Sequence, residues 1–327
     1  MLQNTLTLFA SNARIIKKEF TWHNTLTKRM AALLYAQEGK PIDCESIRYC
    51  HNLIKQSTGL FSTFRGNMTI CVATLLSLSP KPRQLFEETL KVYSLLKGAR
   101  FRASDFLVVA AFEIAKQSIP KNFENVVNRA RAFYDGMKAN NFFHTGPDDY
   151  IFAAMLGLAE DLDVAAGTER IKQHYDALKG EFWYKNSVQA LSHILVLGGS
   201  SDSADRVLSL RSALRQQKIK LDKSYTLSSL GVLSLLPVEI DAIVRDIGDA
   251  RDYLRTQKGF SVLSVSIQEL LLYAVAIVAN EYAQSMKDGV LTATISTSIT
   301  NIIIAQHVAM VAAISASTAS AASSSSS

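Results

Sequence analysis

Three five-residue strings recur without a gap at a spacing of 41: Tyr93-Ser94-Leu95-Leu96-Lys97, Tyr134-Asp135-Gly136-Met137-Lys138 and Tyr175-Asp176-Ala177-Leu178-Lys179. A weaker copy is Arg211-Ser212-Ala213-Leu214-Arg215, and a fifth lies around Tyr253. An apolar, Ala-rich segment precedes each. With Ala32, Ala73, Ala111, Ala154, Leu191 and Val232 as anchors, the steps are 41, 38, 43, 37 and 41. A chain that repeats at this interval stacks one supersecondary unit, and neighbours share the hydrophobic face that a lone unit cannot bury.

Each unit reads as two helices. The first is short and apolar almost all round, hence buried. The second is amphipathic, with Phe86, Leu90, Tyr93 and Leu96 in one copy and Phe123, Val127, Ala130, Tyr134 and Met137 in the next, at steps of three and four. Asn67, Ser104, Asp148 and Asn186 stand where an N-cap belongs. Only 15 Gly and 6 Pro occur, too few to punctuate an all-β chain of 327 residues. The expectation is an all-α superhelix, a HEAT- or armadillo-like solenoid of about six helix pairs. In this reading an N-terminal helix occupies 1–20, the six pairs 21–260, C-terminal apolar helices closing the stack 261–318, and a disordered Ser-rich tail 319–327.

Net charge is +6, unevenly spread: residues 1–140 hold 20 Lys/Arg against 10 Asp/Glu, and 141–327 hold 15 against 19. A basic front half attracts nucleic acid or another polyanion. An aromatic recurs between units, at Phe64, Phe101, Phe142 or Phe143, and Phe182 or Trp183, twice followed by arginine. Two readings are open. The aromatics fix the approach of the chain to the next helix, or Phe64, Arg65, Lys97, Arg100, Phe101 and Arg102 form a strip suited to stacking and anion binding.

No catalytic or metal-binding motif stands out. None of the six histidines forms a His-Glu-x-x-His pair, and Cys44, Cys50 and Cys71 match no zinc spacing. Ser94-Leu95-Leu96-Lys97 matches a Ser-x-x-Lys pattern, but it is a copy of the repeat, and later copies carry Asp135 and Asp176 at the serine position. The expectation is therefore no metal, no cofactor and no enzymatic role, although a site assembled from distant residues stays open. Three cysteines cannot all pair, so free thiols point to a reducing, cytoplasmic setting.

Leu270 to Ala279 is too short an apolar run to cross a bilayer and reads as a buried helix. After Asp288 no charged side chain occurs. The stretch from Ile295 to Ile314 is apolar, but it carries Asn301, Gln306 and His307, which are costly in lipid. A helix closing the stack is favoured over a membrane span, with self-association through this segment as the other option. The first functional expectation is a non-enzymatic scaffold holding a protein partner on a concave face, and the alternative is polyanion or nucleic-acid binding.

The strings from Leu60 to Asn67, from Arg129 to Met137 and from Leu191 to Leu195, with the Ala/Ser-rich end, resemble a bacterial, mostly Gram-positive family known as domain of unknown function 4003. The resemblance spans nearly the whole chain. It implies a single full-length unit of bacterial origin and brings no activity, ligand or site residue with it.

Overall fold

The computed structural model describes residues 2–21, 23–140, 145–198, 203–224, 226–285, 302 and 304. The described residues are helical, with no strand among them. Fourteen α-helices among the described residues form antiparallel hairpins in chain order. They are α1 (Leu2–Glu19) with α2 (Thr25–Gln37), α3 (Cys44–Ser57) with α4 (Thr69–Ser77), and α5 (Pro82–Gly98) with α6 (Asp105–Gln117). Next come α7 (Phe123–Asn140) with α8 (Tyr150–Leu158), and α9 (Val164–Leu178) with α10 (Lys185–Gly198). The last are α11 (Ser203–Gln216) with α12 (Leu227–Ser234), and α13 (Ile240–Thr256) with α14 (Ile267–Ser285).

Even-numbered helices are the inner layer. Every residue of α12 is buried, and so is all of α4 except Ser77. Odd-numbered helices cover them with one face only. In α13 the buried residues are Ile243, Val244, Ile247, Ala250 and Leu254, the stripe that a 3.6-residue period produces. The pairs read from the sequence, apolar helix then amphipathic helix, are offset by one helix from the hairpins that pack. An amphipathic helix packs most extensively on the apolar helix that follows it. Sequence shows both helices but not which neighbour each prefers, because either connection is short enough to be a turn.

The stack expected from the sequence has two free ends, whereas here the ends meet. Helix α14 packs on α1, α2, α12 and α13, and α1 also touches α13. Phe9 of α1 lies 5.2 Å from the ring of Phe260 and 5.0 Å from that of Tyr273. Arg29 pairs with Glu269 at 2.9 Å and donates to the carbonyls of Gly259 and Ser264. Gln37 donates to Ala276 O, and its own carbonyl accepts from Asn280 and Gln284. Among the described residues seven hairpins thus close on themselves.

Ser104 caps α6 by accepting from Leu107 N at 3.2 Å, as expected. The other three expected N-caps do not cap: Met68 and Asp149 directly precede α4 and α8, and α10 already begins at Lys185. Tyr93 and Tyr134, equivalent in the repeat, have related surroundings. Tyr93 packs on Phe64 at 5.0 Å and Tyr134 on Phe101 at 5.5 Å, each on the aromatic of the connection one hairpin back. The run Leu270–Ala279 is buried within α14. The stretch from Ile295 to Ile314, apart from Ile302 and Ile304, lies outside the described residues, as do 319–327, Phe142 and Phe143. No helix among the described residues is long and apolar enough to cross a membrane.

Candidate functional site

The strip read from the sequence separates into two kinds of residue. Phe64 and Phe101 are buried and packed, Phe64 against Phe86 and Tyr93, Phe101 against Tyr134 and Tyr150, so neither ring can stack on a ligand. Arg65 is committed as well. Its guanidinium donates to Thr58 Oγ1 and to the carbonyls of Lys55 and Thr58, closing the C-terminal end of α3. Lys97, Arg100 and Arg102 are exposed, and none forms an ion pair among the described residues. The aromatic–arginine strip is therefore corrected to a core contact with three exposed cations beside it.

All the even helices run the same way, so their C-terminal ends gather on one face. There α2, α4, α6 and α14 leave a cleft of 1220 Å³, with the first turns of α5 along one wall. Helix C-termini carry the negative ends of the peptide dipoles, and their last carbonyls lack intrahelical donors. Glu38 and Glu88 add acid, while Lys81 and Lys116 add base.

Gln37, 6% exposed, lies on the wall where α2 meets α14. Its amide nitrogen and backbone carbonyl are used in closing the ring, but Oε1 is buried without a donor. One turn in from Gln117, the Glu113 side chain is fully buried. Its Oε2 accepts from Gln117 at 2.9 Å, and Oε1 has no partner. Burial pushes the Glu113 carboxyl above its ordinary range, opposed by Lys116 and the Gln117 bond. An unmet buried acceptor is costly, and with both oxygens shielded from the cleft the fold itself carries that cost.

No motif announces Gln37, Gln117, Asn280 or Gln284, because they come from three helices far apart in sequence. A weak signal was present: each is an amide within the last two turns of an apolar-rich inner helix.

A second polar cluster is sealed inside. His193 of α10 has Nδ1 3.6 Å from Asp149 Oδ1, and neither ring nitrogen is hydrogen-bonded. Asp149 accepts from Gly146 N at 2.9 Å and from Gln189. Burial drives the histidine down to about 3 and raises Asp149 well above a normal carboxylate, the latter helped by Asp148. The histidine is therefore uncharged at neutral pH, and its approach to Asp149 is not an ion pair. Burial also pushes the Cys50 thiol up to about 11 and Cys71 higher still, so both stay protonated. No group of three or more metal-ligating side chains occurs among the described residues.

A family model described as "Protein of unknown function (DUF4003)" matches residues 12–308. The chain belongs to the DUF4003 family. A relative in Bacillus subtilis strain 168, the uncharacterized protein YeaA, is 22% identical over 285 residues, covering 85% of this chain and 84% of its own. The family therefore includes a Gram-positive member of nearly the same extent. No solved structure matches.

Proposed function

We propose that this chain is a helical-repeat protein, an α-solenoid closed into a ring, that works as a non-enzymatic binding module. Its cleft at the ends of α2, α4, α6 and α14 receives a segment of a protein partner rich in N–H donors. The observation that carries the reading is the cleft itself, lined by the amide side chains Gln37, Gln117, Asn280 and Gln284 from three inner helices. Two further features support it. The cleft is larger than the roughly 300–1,000 Å³ of small-molecule pockets, which suits a peptide. Four converging helix C-termini favour a cationic or amide-bearing guest. The free thiols fit a cytoplasmic site of action.

The test uses an array of short peptides of varied sequence, probed with the parent chain and with Gln37→Leu/Gln117→Leu. Selection of Lys/Arg- or Asn/Gln-rich peptides by the parent, lost in the variant, is the expected result. Failure of every peptide to bind, or equal binding by the variant, rejects the reading.

A further inference from the structure

The face opposite the cleft is where odd helices end and even helices begin, and it differs from the cleft face in both charge and apolar exposure. Basic residues occupy the last turn of α1, α3, α5, α7, α11 and α13, whereas among the even helices only α6 has one there. The helix dipole favours this placement, but it also collects the charges on one side of the ring. The charge imbalance read along the sequence is thus also an imbalance between faces. Lys55, Lys97, Arg100, Arg102, Lys220 and Lys258 are exposed there without an ion pair among the described residues. The acids of the same face are paired or withdrawn from solvent. Glu19, Glu181, Asp222 and Glu269 each pair with an arginine, and Asp105 and Asp149 are mostly or wholly buried.

Among these cations stand large apolar side chains that the fold leaves in water. Leu60 and Phe61 tip the α3–α4 connection, Trp183 the α9–α10 connection, and Val262 and Leu263 the α13–α14 connection. Phe61 and Leu263 are fully exposed and Trp183 is 88% exposed. They do not pool into one patch, since they sit on three connections spaced around the ring. A protein partner would need a separate pocket for each. A lipid surface accepts several tips independently, takes tryptophan at headgroup depth, and supplies negative charge for the cations between them. We infer that this face docks peripherally on an anionic lipid bilayer, with Leu60, Phe61, Val262 and Leu263 inserting below the headgroups and Trp183 at their depth. The cleft then faces away from the membrane and stays open.

The test is sedimentation of the full chain with phosphatidylcholine vesicles, with and without phosphatidylserine. The parent is expected to sediment with anionic vesicles only, and less as salt rises. Phe61→Ser/Trp183→Ser/Leu263→Ser should weaken this ~10-fold or more, given one lost apolar anchor on each connection. Lys97→Glu/Arg102→Glu/Lys258→Glu should abolish the preference for phosphatidylserine. All six positions are exposed, so circular dichroism should show both variants folded. In a Trp22→Phe chain, Trp183 is the single remaining tryptophan, and its emission should shift to the blue on anionic vesicles. The inference is overturned if the parent ignores anionic vesicles at low salt. It is equally overturned if the apolar variant sediments like the parent, or if Trp183 emission does not move while the protein sediments. Binding to duplex DNA or heparin without vesicle binding would mark a polyanion surface and reject lipid docking. Gln37→Leu/Gln117→Leu should bind vesicles normally, which separates this test from that of the cleft.

Discussion

Arg129 and Arg206 make the same three-carbonyl clasp on two different hairpins. In each, Nε donates to the carbonyl 28 positions ahead, Gly157 at 3.1 Å and Ser234 at 3.0 Å. Nη2 of each then donates to the carbonyl 30 positions ahead and to a third one two or three residues later. An arginine on the outer helix thus closes the C-terminal end of the following inner helix and its turn. The two residues stand five positions before Tyr134 and Arg211, which the repeat register had already aligned.

Arg129→Ala should strip donors from three partly buried carbonyls. Loss of charge-assisted hydrogen bonds of this kind costs about 1.5–3 kcal/mol, read as a lower urea midpoint. Arg129→Lys should recover little, because an ammonium cannot reproduce the planar fork.

Gly157→Ala tests how closely α7 and α8 approach. A methyl group there would meet Val126 O at 2.8 Å and Ala130 N at 2.9 Å, both backbone atoms that cannot swing aside. Separating the two helices should cost about 1–3 kcal/mol, seen in thermal melts. Gly59→Ala, which meets nothing, is the control.

Arg29→Met breaks the pair that joins the first hairpin to the last. Glu269 and Tyr273 are both buried, so the carboxylate is left without its cation. Removing one partner of a buried pair costs about 3–5 kcal/mol, and chemical denaturation should show it. Arg48→Met, which breaks the exposed pair with Glu19, should cost under about 1 kcal/mol.

Acid should destabilise the fold partly through His193. Its folded-state pKa is depressed to about 3 against an ordinary 6.5, so below pH 6.5 the unfolded chain takes up a proton that the native chain refuses. Stability is therefore lost as pH falls from 6.5 towards 3. His51, depressed to about 4, acts with the same sign, while Glu113 and Asp149, both raised, act in the opposite sense. Comparing urea midpoints at pH 7 and pH 5, His193→Gln should reduce the loss by about 1–2 kcal/mol relative to the parent. An unchanged loss would mean that His193 is not sealed from protons.

Much of the secondary structure could be read along the chain because it is written locally. The Tyr93, Tyr134 and Tyr175 strings mark outer helices, and the Ala-rich segments mark inner ones. The choice of packing neighbour could not be read, since it depends on how well each pair of faces fits. The meeting of the ends was equally hidden: Arg29 and Glu269 are 240 positions apart, and neither sits in a motif. At the candidate sites, charge and aromatic spacing located Lys97, Arg100 and Arg102 but misjudged Phe64 and Phe101, whose periodic placement reflects the core. The cleft amides share a place near the ends of inner helices but no motif, and an unmet acceptor exists only once neighbouring helices have used up the other donors.

The junction between α1–α2 and α13–α14 also sets a timetable. A ribosome releases α1 and α2 first, yet the helix that covers Phe9 and Gln37 is among the last to emerge. Until then the opening hairpin waits with a bare flank, so the chain cannot mature progressively from its start. Among the described residues the first and last hairpins cover each other, so local opening of the stack must start from the middle of the circle or break the Arg29–Glu269 clasp first.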